Sequence, residues 1–376
     1  MLTKTMRDPT FFEFFAGGGM ARAGLGPGWR CLFANDIDAR KAATYTANWG
    51  AVDFRVADIH ALSARDLPGR ADLAWASFPC QDLSLAGAGV GLRGGRSGAF
   101  FGLRDLVADL ARADRAPKIL ALENVIGALT SNGGADFRLL IESLDALGYD
   151  AGALTIDAAR FLPQSRPRLF VVAAARDVEI PAALRSGGAW TSPALFRARE
   201  GLPANLRARW IDWALPEPAA RNAALIDVIE DMPADVPWHD EARTLRLLSL
   251  MAPGHRAQVE TRRAAGGRHV GTIYRRTRTE GGRKVQRAEV RFDGLAGCLR
   301  TPGGGSSRQF VVVVEGGEAR TRLLSGREAA RLMGLPEDYR LPARYNDACH
   351  LLGDGVAAPV VRHLARHLLE PLIAAL

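Results

Sequence analysis

Short apolar runs alternate with amphipathic stretches over the first half of the chain. Five runs have the length and residue types of buried strands: TFFEFFAG (10–17), WRCLFAND (29–36), ADLAWASF (71–78), KILALENV (118–125) and RLFVVAAA (168–175). Stretches with helical spacing lie between them: GMARAGLG (19–26), DARKAATYTANW (38–49), SGAFFGLRDLVADLARA (97–113) and DFRLLIESLDALGY (136–149). Strands separated by helices predict an α/β fold with a doubly wound, mostly parallel sheet.

This alternation ends near residue 185. Residues 185–300 are rich in Arg, Gly and Pro and have weak periodicity, which predicts a smaller, irregular second domain. Regular order returns with FVVVVEGG (310–317), a helix-like SGREAARLMGL (325–335) and a last helix over 358–376. The predicted organisation is therefore a first domain over 1–184, an irregular domain over 185–308 and a return to the first domain over 309–376.

Positive charge is concentrated in one part of this second domain. The net charge of the 376 residues is +8, whereas residues 242–300 alone contain fourteen Lys and Arg against four Asp and Glu. Such a segment suits contacts with phosphates, so it favours a nucleic-acid partner; a solvated basic face is the alternative.

Cysteine spacing and hydropathy exclude several other classes. The four cysteines lie far apart and form no CxxC pair, which argues against a zinc site and a disulfide framework. His363 and His367 are four residues apart on the last helix, where a surface position is a better interpretation than a metal site, and no metal is predicted. The sequence has no apolar run long enough for a membrane span and no secretion signal at its start, so a reducing cytoplasm is expected.

A nucleotide site is predicted where the first strands end. Glycines 17–19 follow the first strand and precede a helix, so the backbone there can approach a ligand. Asp36 and Asp38 end the second strand, in a position suited to ribose hydroxyls, and Asp58 in VADIH (56–60) falls where the strand after it should end. The three acids indicate an adenosine ligand, and the lack of a clean GxGxxG favours S-adenosylmethionine over a dinucleotide.

A candidate nucleophile lies in SFPCQDLSLAG (77–87). Cys80 lies just beyond the carboxyl end of a strand, where active sites form in parallel α/β sheets. Its thiolate would be the attacking species. Glu123 follows another strand, and Arg166 and Arg168 are two residues apart at the start of a third, which predicts that both arginines point to one face. The alternatives are a structural cysteine, a helix-capping acid and an exposed strand edge.

Taken in order, these motifs resemble the DNA cytosine-5 methyltransferase family of bacterial restriction-modification or orphan type. The glycine turn resembles the family's first motif, and PCQ (79–81) resembles its nucleophile motif. Further similar segments are ENV (123–125), QSRPR (164–168), TRLLSGREAARLMGLP (321–336) and GDGV (353–356). The resemblance covers 10–180 and 300–376, which leaves 185–300 as the variable target-recognition domain.

The resemblance implies a reaction and a role for each group. A methyl group of S-adenosyl-L-methionine would pass to carbon 5 of a cytosine flipped out of duplex DNA, through a covalent adduct of Cys80 at carbon 6. Glu123 would hydrogen-bond ring nitrogen 3 and the exocyclic amine. Arg166 would contact the carbonyl oxygen of the base, and Arg168 would support the site.

The resemblance also implies two sets of binding residues. The expected cofactor contacts are Phe15, Ala16, Gly17, Gly19, Asp36, Ile37, Asp58, Ile59, Pro79 and Val356. The expected DNA contacts are Gln81, Ser84, Arg96, Gln164, Arg300, Ser306 and Arg308. Double-stranded DNA is the expected partner, a cognate restriction endonuclease is a candidate functional partner, and the expected state is a monomer in the bacterial cytoplasm.

Three positions depart from the family pattern. Glu13 stands where Asp is usual, and its longer side chain is expected to reach amides of the glycine turn. The glycines are shifted slightly before Met20, and Asp354 replaces the usual Asn of the tenth motif, which puts its contact with the nucleophile loop in question. The alternative functions are an RNA cytosine methyltransferase, a DNA-binding protein without activity and a nicotinamide-dependent oxidoreductase.

Overall fold

Two compact units make up the protein in the computed structural model, which describes residues 7–79, 98–302 and 307–376. Unit 1 comprises Met1–Asp157, Pro167–Pro218 and Ala358–Leu376, and unit 2 comprises Ala158–Arg166 and Ala219–Ala357. These divisions differ from the predicted boundaries at 184 and 308. Residues 185–218 belong to unit 1 and residues 309–357 belong to unit 2. The sequence pattern did not reveal this, because it does not show which unit a segment joins.

A seven-stranded sheet forms the centre of unit 1. Its strands are β1 Thr10–Phe14, β2 Arg30–Asp36, β3 Phe54–Val56, β4 Leu73–Ala76, β5 Ile119–Val125, β6 Tyr149–Asp157 and β7 Pro167–Ala175. Their order is β3-β2-β1-β4-β5-β7-β6, and every neighbouring pair is parallel except those that contain β7. The predicted fold class, a doubly wound and mostly parallel α/β sheet, is confirmed.

In the described residues, four helices lie between strands of unit 1, as the alternating pattern predicts, and two more follow β7. They are α1 Met20–Leu25, α2 Ala39–Trp49, α3 Ala99–Arg112, α4 Ala135–Ala146, α5 Pro193–Glu200 and α6 Ala204–Ala208. The sequence pattern did not predict β6. Tyr149, which was predicted as the last residue of a helix, is the first residue of this strand. Most residues of β6 are buried, so the strand lacks the apolar and polar alternation that identifies a half-exposed strand.

A four-stranded antiparallel sheet forms the centre of unit 2. Its order is β11-β10-β8-β9, with β8 Arg268–Glu280, β9 Arg283–Arg291, β10 Gln309–Glu315 and β11 Glu318–Leu323. Its helices are α7 Leu225–Val228, α8 Glu241–Ser249, α9 Pro253–Ala265, α10 Gly326–Leu332 and α11 Tyr345–Asp354. The prediction of an irregular domain is therefore wrong over 241–291. The polar, exposed outer halves of β8 and β9 hide the period-two pattern there.

The C-terminal segment returns to unit 1 and packs on α1. It consists of α12 Ala358–Leu364, one π-helical turn Ala365–Leu369 and α13 Glu370–Ala374. A Cβ atom added at Gly24 would lie 2.4 Å from the Cβ of Val361, so only glycine permits this close approach. His363 is buried, and its Nε2 lies 2.8 Å from the carbonyl of Pro216, so the predicted surface position is wrong for this histidine.

A fully buried ion pair links β11 to α10 in unit 2. The guanidinium of Arg322 donates to both carboxylate oxygens of Glu328, at 2.8 and 2.6 Å, and both side chains are 0% exposed. Glu328 also accepts the amide protons of Ser325, at 2.7 Å, and Glu230, at 2.8 Å. These bonds compensate the two charges for their loss of water, so either charge alone would be costly to bury.

We predict that Glu328→Ala lowers the free energy of unfolding by about 3–5 kcal/mol, because the buried charge of Arg322 loses its partner. Urea unfolding of the purified protein measures this loss. The matched control is Glu337→Ala, whose carboxylate pairs with Arg331 but is 64% exposed. That change is expected to cost at most about 1 kcal/mol. Equal losses in the two variants would contradict the prediction.

None of the helices that the structure describes is both long enough and apolar enough to cross a membrane.

Candidate active site

The candidate cofactor residues other than Val356 lie where the parallel strands of unit 1 end. The chain enters the sheet at β1, moves outward to β3 and then returns to β4 on the other side of β1. The strand order therefore reverses between β1 and β4. In open α/β sheets ligands bind beyond the carboxyl ends of the strands at such a point.

The turn after β1 has an unusual backbone. Phe15 has a φ of 56°, a left-handed conformation that costs a non-glycine residue of order 1–3 kcal/mol. Gly17 and Gly19 also have positive φ values, of 56° and 76°. A Cβ atom added at Gly17 would meet nothing within 4 Å, whereas one at Gly19 would lie 2.3 Å from Nε1 of Trp49. Gly19 therefore admits the neighbouring helix α2, and the turn has open space beside Gly17.

Asp36 holds this turn against the end of β2. One of its carboxylate oxygens accepts the amide proton of Gly17 at 2.9 Å, and the other accepts that of Asp38 at 2.8 Å. The amide of Ala16 donates to the carbonyl of Asn35 at 2.9 Å. Neighbouring strands are thus bonded together at their ends, and the carboxylate of Asp36 lies beside the backbone of the glycine turn.

The next residues of the predicted cofactor set follow from β2 and β3. Ile37 is 66% exposed, an unusual position for a large apolar side chain directly after a buried strand. The amide of Ala57 donates to the carbonyl of Asp36 at 3.1 Å, which places Asp58 beside the end of β2. Asp58 is exposed and accepts the amide proton of His60 at 3.0 Å, and Ile59 is buried.

Glu13 lies in the core beneath the glycine turn. Its Oε1 accepts a hydrogen bond from the backbone amide of Arg22 in α1 at 3.4 Å. This contact differs from the expected one, which was with amides of the glycine turn. Burial raises the pKa of Glu13 to about 8, although Arg22 opposes the shift. The guanidinium of Arg22 donates to the hydroxyl of Tyr45 at 3.0 Å and lies 4.0 Å from Asp53.

The candidate nucleophile Cys80, together with Gln81, Ser84, Arg96 and Ser306, lies outside the residues that the structure describes. The described residues extend to Pro79, and packing and a hydrogen bond hold the residue before it in place. Phe78 is buried against Phe100, with ring centroids 5.5 Å apart. The side-chain amide of Asn124 donates to the carbonyl of Phe78 at 3.4 Å and accepts the amide proton of Val125 at 2.8 Å. Asn124 therefore fixes the backbone two residues before Cys80.

Sequence reasoning did not assign this contact to Asn124, although the motif ENV contains it. The motif places Glu123 and Asn124 at successive positions at the end of β5. Adjacent residues of a strand point to opposite faces, so one motif serves two different contacts.

Glu123 and Arg168 form an ion pair at the end of β5. The Nε of Arg168 lies 3.1 Å from Oε1 of Glu123, and both side chains are largely buried. Because β7 runs antiparallel to β5, its first residues lie beside the last residues of β5, and Val125 is the pairing partner of Arg168. The guanidinium is thus positioned to hold the carboxyl group of Glu123 in one orientation.

Arg166 has different partners. It precedes β7, which begins at Pro167, so the period-two argument that placed both arginines on one face does not apply. Its Nη1 donates to the carbonyl of Leu299 at 2.8 Å, and its Nη2 donates to those of Gly353 and Gly355 at 2.9 and 2.5 Å. The side chain is buried in unit 2, where these bonds hold two distant segments together.

Gln164 is also buried in unit 2. Its Nε2 donates to the carbonyl of Leu332 at 2.5 Å, and its Oε1 accepts the amide proton of Leu299 at 3.1 Å. The residue is 0% exposed. This burial does not favour the predicted DNA contact, which stays a prediction.

The remaining predicted residues lie in unit 2. Arg300 is exposed, Val356 is buried, and Arg308 donates to the side-chain oxygen of Asn346 at 2.6 Å. Asp354 accepts a hydrogen bond from the hydroxyl of Thr301. The acid in place of the usual Asn therefore has a partner in the segment that follows Arg300. The nucleophile loop lies outside the described residues, so its contact with Asp354 stays in question.

Two cysteines of the described chain have raised pKa values. Cys31 lies on β2, and burial raises the pKa of its thiol to about 12. Burial also raises the pKa of Cys349. Both remain thiols at neutral pH, so neither has the reactivity of a thiolate nucleophile.

Comparison with known proteins identifies the family. The sequence model of the C-5 cytosine-specific DNA methylase family matches residues 9–370.

The chain belongs to the C-5 cytosine-specific DNA methylase family.

This methylase resembles curated relatives along nearly its whole length. It is 26% identical over 371 residues to the Type II methyltransferase M.BsuFI of Bacillus subtilis, covering 97% of this chain and 74% of that protein. It is 24% identical over 380 residues to the Type II methyltransferase M.HpaII of Haemophilus parainfluenzae, covering 96% and 90%. The resemblance to the family that the motifs indicated is therefore confirmed, as is the prediction of an enzyme.

Solved structures share the fold. The Dnmt2 methyltransferase of S. pombe superposes with a TM-score of 0.58 at 17% identity, covering 97% of this chain and 99% of that chain. A DNA modification methyltransferase encoded in an E. coli prophage gives a TM-score of 0.57 at 15% identity, covering 95% and 97%. The family uses S-adenosylmethionine, so its membership implies this cofactor for the chain.

We predict that Glu13 makes the methylase less stable as the pH rises. The folded state keeps the proton on Glu13 up to a pH of about 8, whereas the unfolded state releases it near the ordinary value of 4.5. Between these values unfolding releases a proton, and the contribution of Glu13 to stability falls by about 1.4 kcal/mol per pH unit. This contribution is fully present below pH 4.5 and is lost near pH 8.

Denaturant unfolding at several pH values tests this prediction. Glu13→Gln cannot titrate, so its stability relative to the unmodified protein is expected to increase from pH 5 to pH 8 and then level off. Glu142→Gln, a change at a half-exposed acid of α4, is the control and is expected to show no such trend. A pH-independent difference between Glu13→Gln and the unmodified protein would show that Glu13 is ionised throughout.

Proposed function

We propose that this methylase transfers a methyl group from S-adenosyl-L-methionine to carbon 5 of a cytosine within a specific DNA sequence, through a covalent bond between Cys80 and carbon 6. The observation that carries the proposal is the arrangement at the end of β5. There Glu123 is paired with Arg168, and Asn124 anchors the backbone that leads into Cys80.

Carbon 5 of cytosine is a weak nucleophile, and the proposed chemistry overcomes this. The thiolate of Cys80 attacks carbon 6, a C–S bond forms, and the electron pair of the 5,6 double bond becomes available at carbon 5. The bound cofactor supplies the methyl group that carbon 5 accepts. Loss of the proton from carbon 5 then restores the double bond and expels Cys80 as a thiolate.

Glu123 assists by binding the edge of the ring. A carboxyl group that hydrogen-bonds ring nitrogen 3 and the exocyclic amine draws electron density from carbon 6 and favours attack there. Arg168 holds this carboxyl group through the 3.1 Å contact to Oε1. We therefore assign the role beside the base to Arg168, whereas the three carbonyl contacts of Arg166 give it a role in the folding of unit 2.

The residues at the point where the strand order reverses, between β1 and β4, fit an adenosine-containing cofactor. The space beside Gly17 admits a ligand close to the backbone, and the exposed side chain of Ile37 offers an apolar surface to a purine ring. Asp36 and Asp58 supply carboxylates for the ribose hydroxyls and the exocyclic amine of adenine. Phe15, Ala16, Gly19, Ile59 and Pro79 complete the proposed cofactor set in unit 1.

The substrate cytosine has to leave the helix, because carbon 5 and carbon 6 are not accessible within stacked bases. We propose duplex DNA as the substrate, bound in part by Arg300 and Arg308. The Type II designation of the relatives supports a restriction-modification role, with an endonuclease of the same specificity as functional partner. A monomer acting on DNA in the cytoplasm is the simplest arrangement.

Methyl transfer from labelled S-adenosylmethionine to unmethylated genomic DNA tests the proposal. The expected result is label on DNA with the unmodified protein and none with Cys80→Ala, and sequencing that distinguishes methylcytosine locates it at one short motif. Transfer by Cys80→Ala would exclude the covalent route. Transfer to RNA and not to DNA would contradict the proposed substrate.

The two arginines are expected to differ in what they contribute. Arg168→Ala should lower kcat about 100-fold, because Glu123 loses the group that orients it, and should leave cofactor affinity unchanged. Arg166→Ala should lower the free energy of unfolding by about 2–4 kcal/mol, because three buried carbonyls lose their donor. Single-turnover kinetics and urea unfolding measure the two effects. An Arg168→Ala variant with full activity would contradict the assignment.

A further inference from the structure

The outer part of the β8–β9 hairpin extends beyond the sheet of unit 2. β10 pairs with β8 only from Arg268 to Tyr274. Residues 276–280 and 283–287 pair with each other, and in the part of the chain that the structure describes they have no other strand beside them. Gly281 and Gly282, both with positive φ, form the turn. We call residues 276–287 the ribbon; its five residue pairs span roughly 16 Å.

One face of the ribbon is a network of ion pairs. Nε of Arg276 lies 3.2 Å from Oε2 of Glu289, and Arg278 bonds the other oxygen of the same carboxylate. Nε of Arg287 donates to Glu280 at 2.7 Å. A two-stranded hairpin alone is only marginally stable in water, and cross-strand pairs of this kind stabilise it. The carboxylates are thus used to support the ribbon.

The other face carries polar side chains without such partners. Thr277 lies opposite Gln286, and Thr279 lies opposite Lys284. All four residues are exposed, and none of them makes a side-chain hydrogen bond or ion pair with the described residues. Nearer the sheet, the same face continues into the buried pair Ile273 and Val290, so its orientation is set by the core of unit 2.

The two faces differ in the chemistry they offer to a ligand. The ribbon has five cationic side chains and one carboxylate, Glu280, so it is complementary to a polyanion. Its unpaired face presents hydroxyl, amide and ammonium groups. Gln pairs with the edge of adenine, Lys with that of guanine, and the methyl group of Thr contacts that of thymine. A two-stranded ribbon has the width that the major groove of B-DNA accepts.

We propose that the ribbon enters the major groove of duplex DNA and that Thr277, Gln286, Thr279 and Lys284 read base edges there, so that they determine part of the sequence specificity of methylation. The inference rests on the proposed function. It extends that function by assigning specificity to one face of one hairpin. The opposite face, with Arg276, Arg278 and Arg287, contacts phosphates and contributes affinity independent of sequence.

Methylation of a library of DNA duplexes, randomised on both sides of cytosine and read by sequencing, tests the inference. Gln286→Ala and Thr277→Val are expected to lower discrimination about tenfold or more at one or two positions, because a base contact is lost there. Positions read by other residues should keep their preference. Circular dichroism and thermal unfolding establish that each variant is folded, which is expected because both side chains are exposed.

Arg278→Gln is the matched control, since Arg278 is next to Thr277 on β8 but lies on the opposite face of the ribbon. It is expected to weaken binding to all sequences alike and to reduce the salt dependence of binding by about one counterion, without a change in the methylated motif. A folded Gln286→Ala and a folded Thr277→Val that both methylate the same motif as the unmodified protein, with the same discrimination, would overturn the inference. An unmodified protein that methylates no member of the library would instead contradict the proposed function.

Discussion

The reversal of β7 within an otherwise parallel sheet is the constraint on which the candidate catalytic groups depend. It brings the beginning of β7 to the end of β5 and sets Arg168 beside Glu123. If β7 were parallel to β5, its first residue would lie at the other end of the strands, beside the first residue of β5 and about 20 Å away for strands of this length. A shift of one residue in the register would turn Arg168 to the other face. The direction and register of the backbone pairing thus determine that Arg168 and Glu123 meet.

The turn after β1 illustrates a second dependence, of a strained backbone on its surroundings. The left-handed conformation of Phe15 is maintained by bonds that do not involve Phe15 itself. Asp36 binds the amide of Gly17, and Trp49 donates to the carbonyl of Gly18 at 3.1 Å. Strain of this kind persists only where packing and hydrogen bonds over-determine the backbone, and such places are commonly binding sites.

Unit 2 uses arginine–carboxylate pairs in two opposite environments. Arg322 and Glu328 are inaccessible to water and are bonded to backbone groups as well as to each other, so the pair acts as a structural element. Arg276, Arg278 and Arg287 pair with carboxylates at the surface, where each pair contributes little stability and can be exchanged for a phosphate. The same residue types therefore support folding in the core and remain available for binding on the ribbon.

The sequence by itself determined the elements and the chemistry that depend on local order. Apolar runs and helical spacing predicted most strands of the first sheet, the glycine turn and the acids that follow β2 and β3. Motif order predicted the family, and with it Cys80 and Glu123 as candidate catalytic residues. These features are readable because each lies within a few consecutive residues.

Only the tertiary structure decided which distant residues meet. Arg166 and Arg168 are alike in sequence, yet one bonds backbone carbonyls in unit 2 and the other pairs with Glu123 in unit 1. The burial of His363 and the extension of the ribbon beyond β10 likewise follow from packing and pairing between segments far apart in the chain. Hydrophobic periodicity records whether a residue is buried, but it carries no information on its partner, because many pairings bury the same side chains equally well.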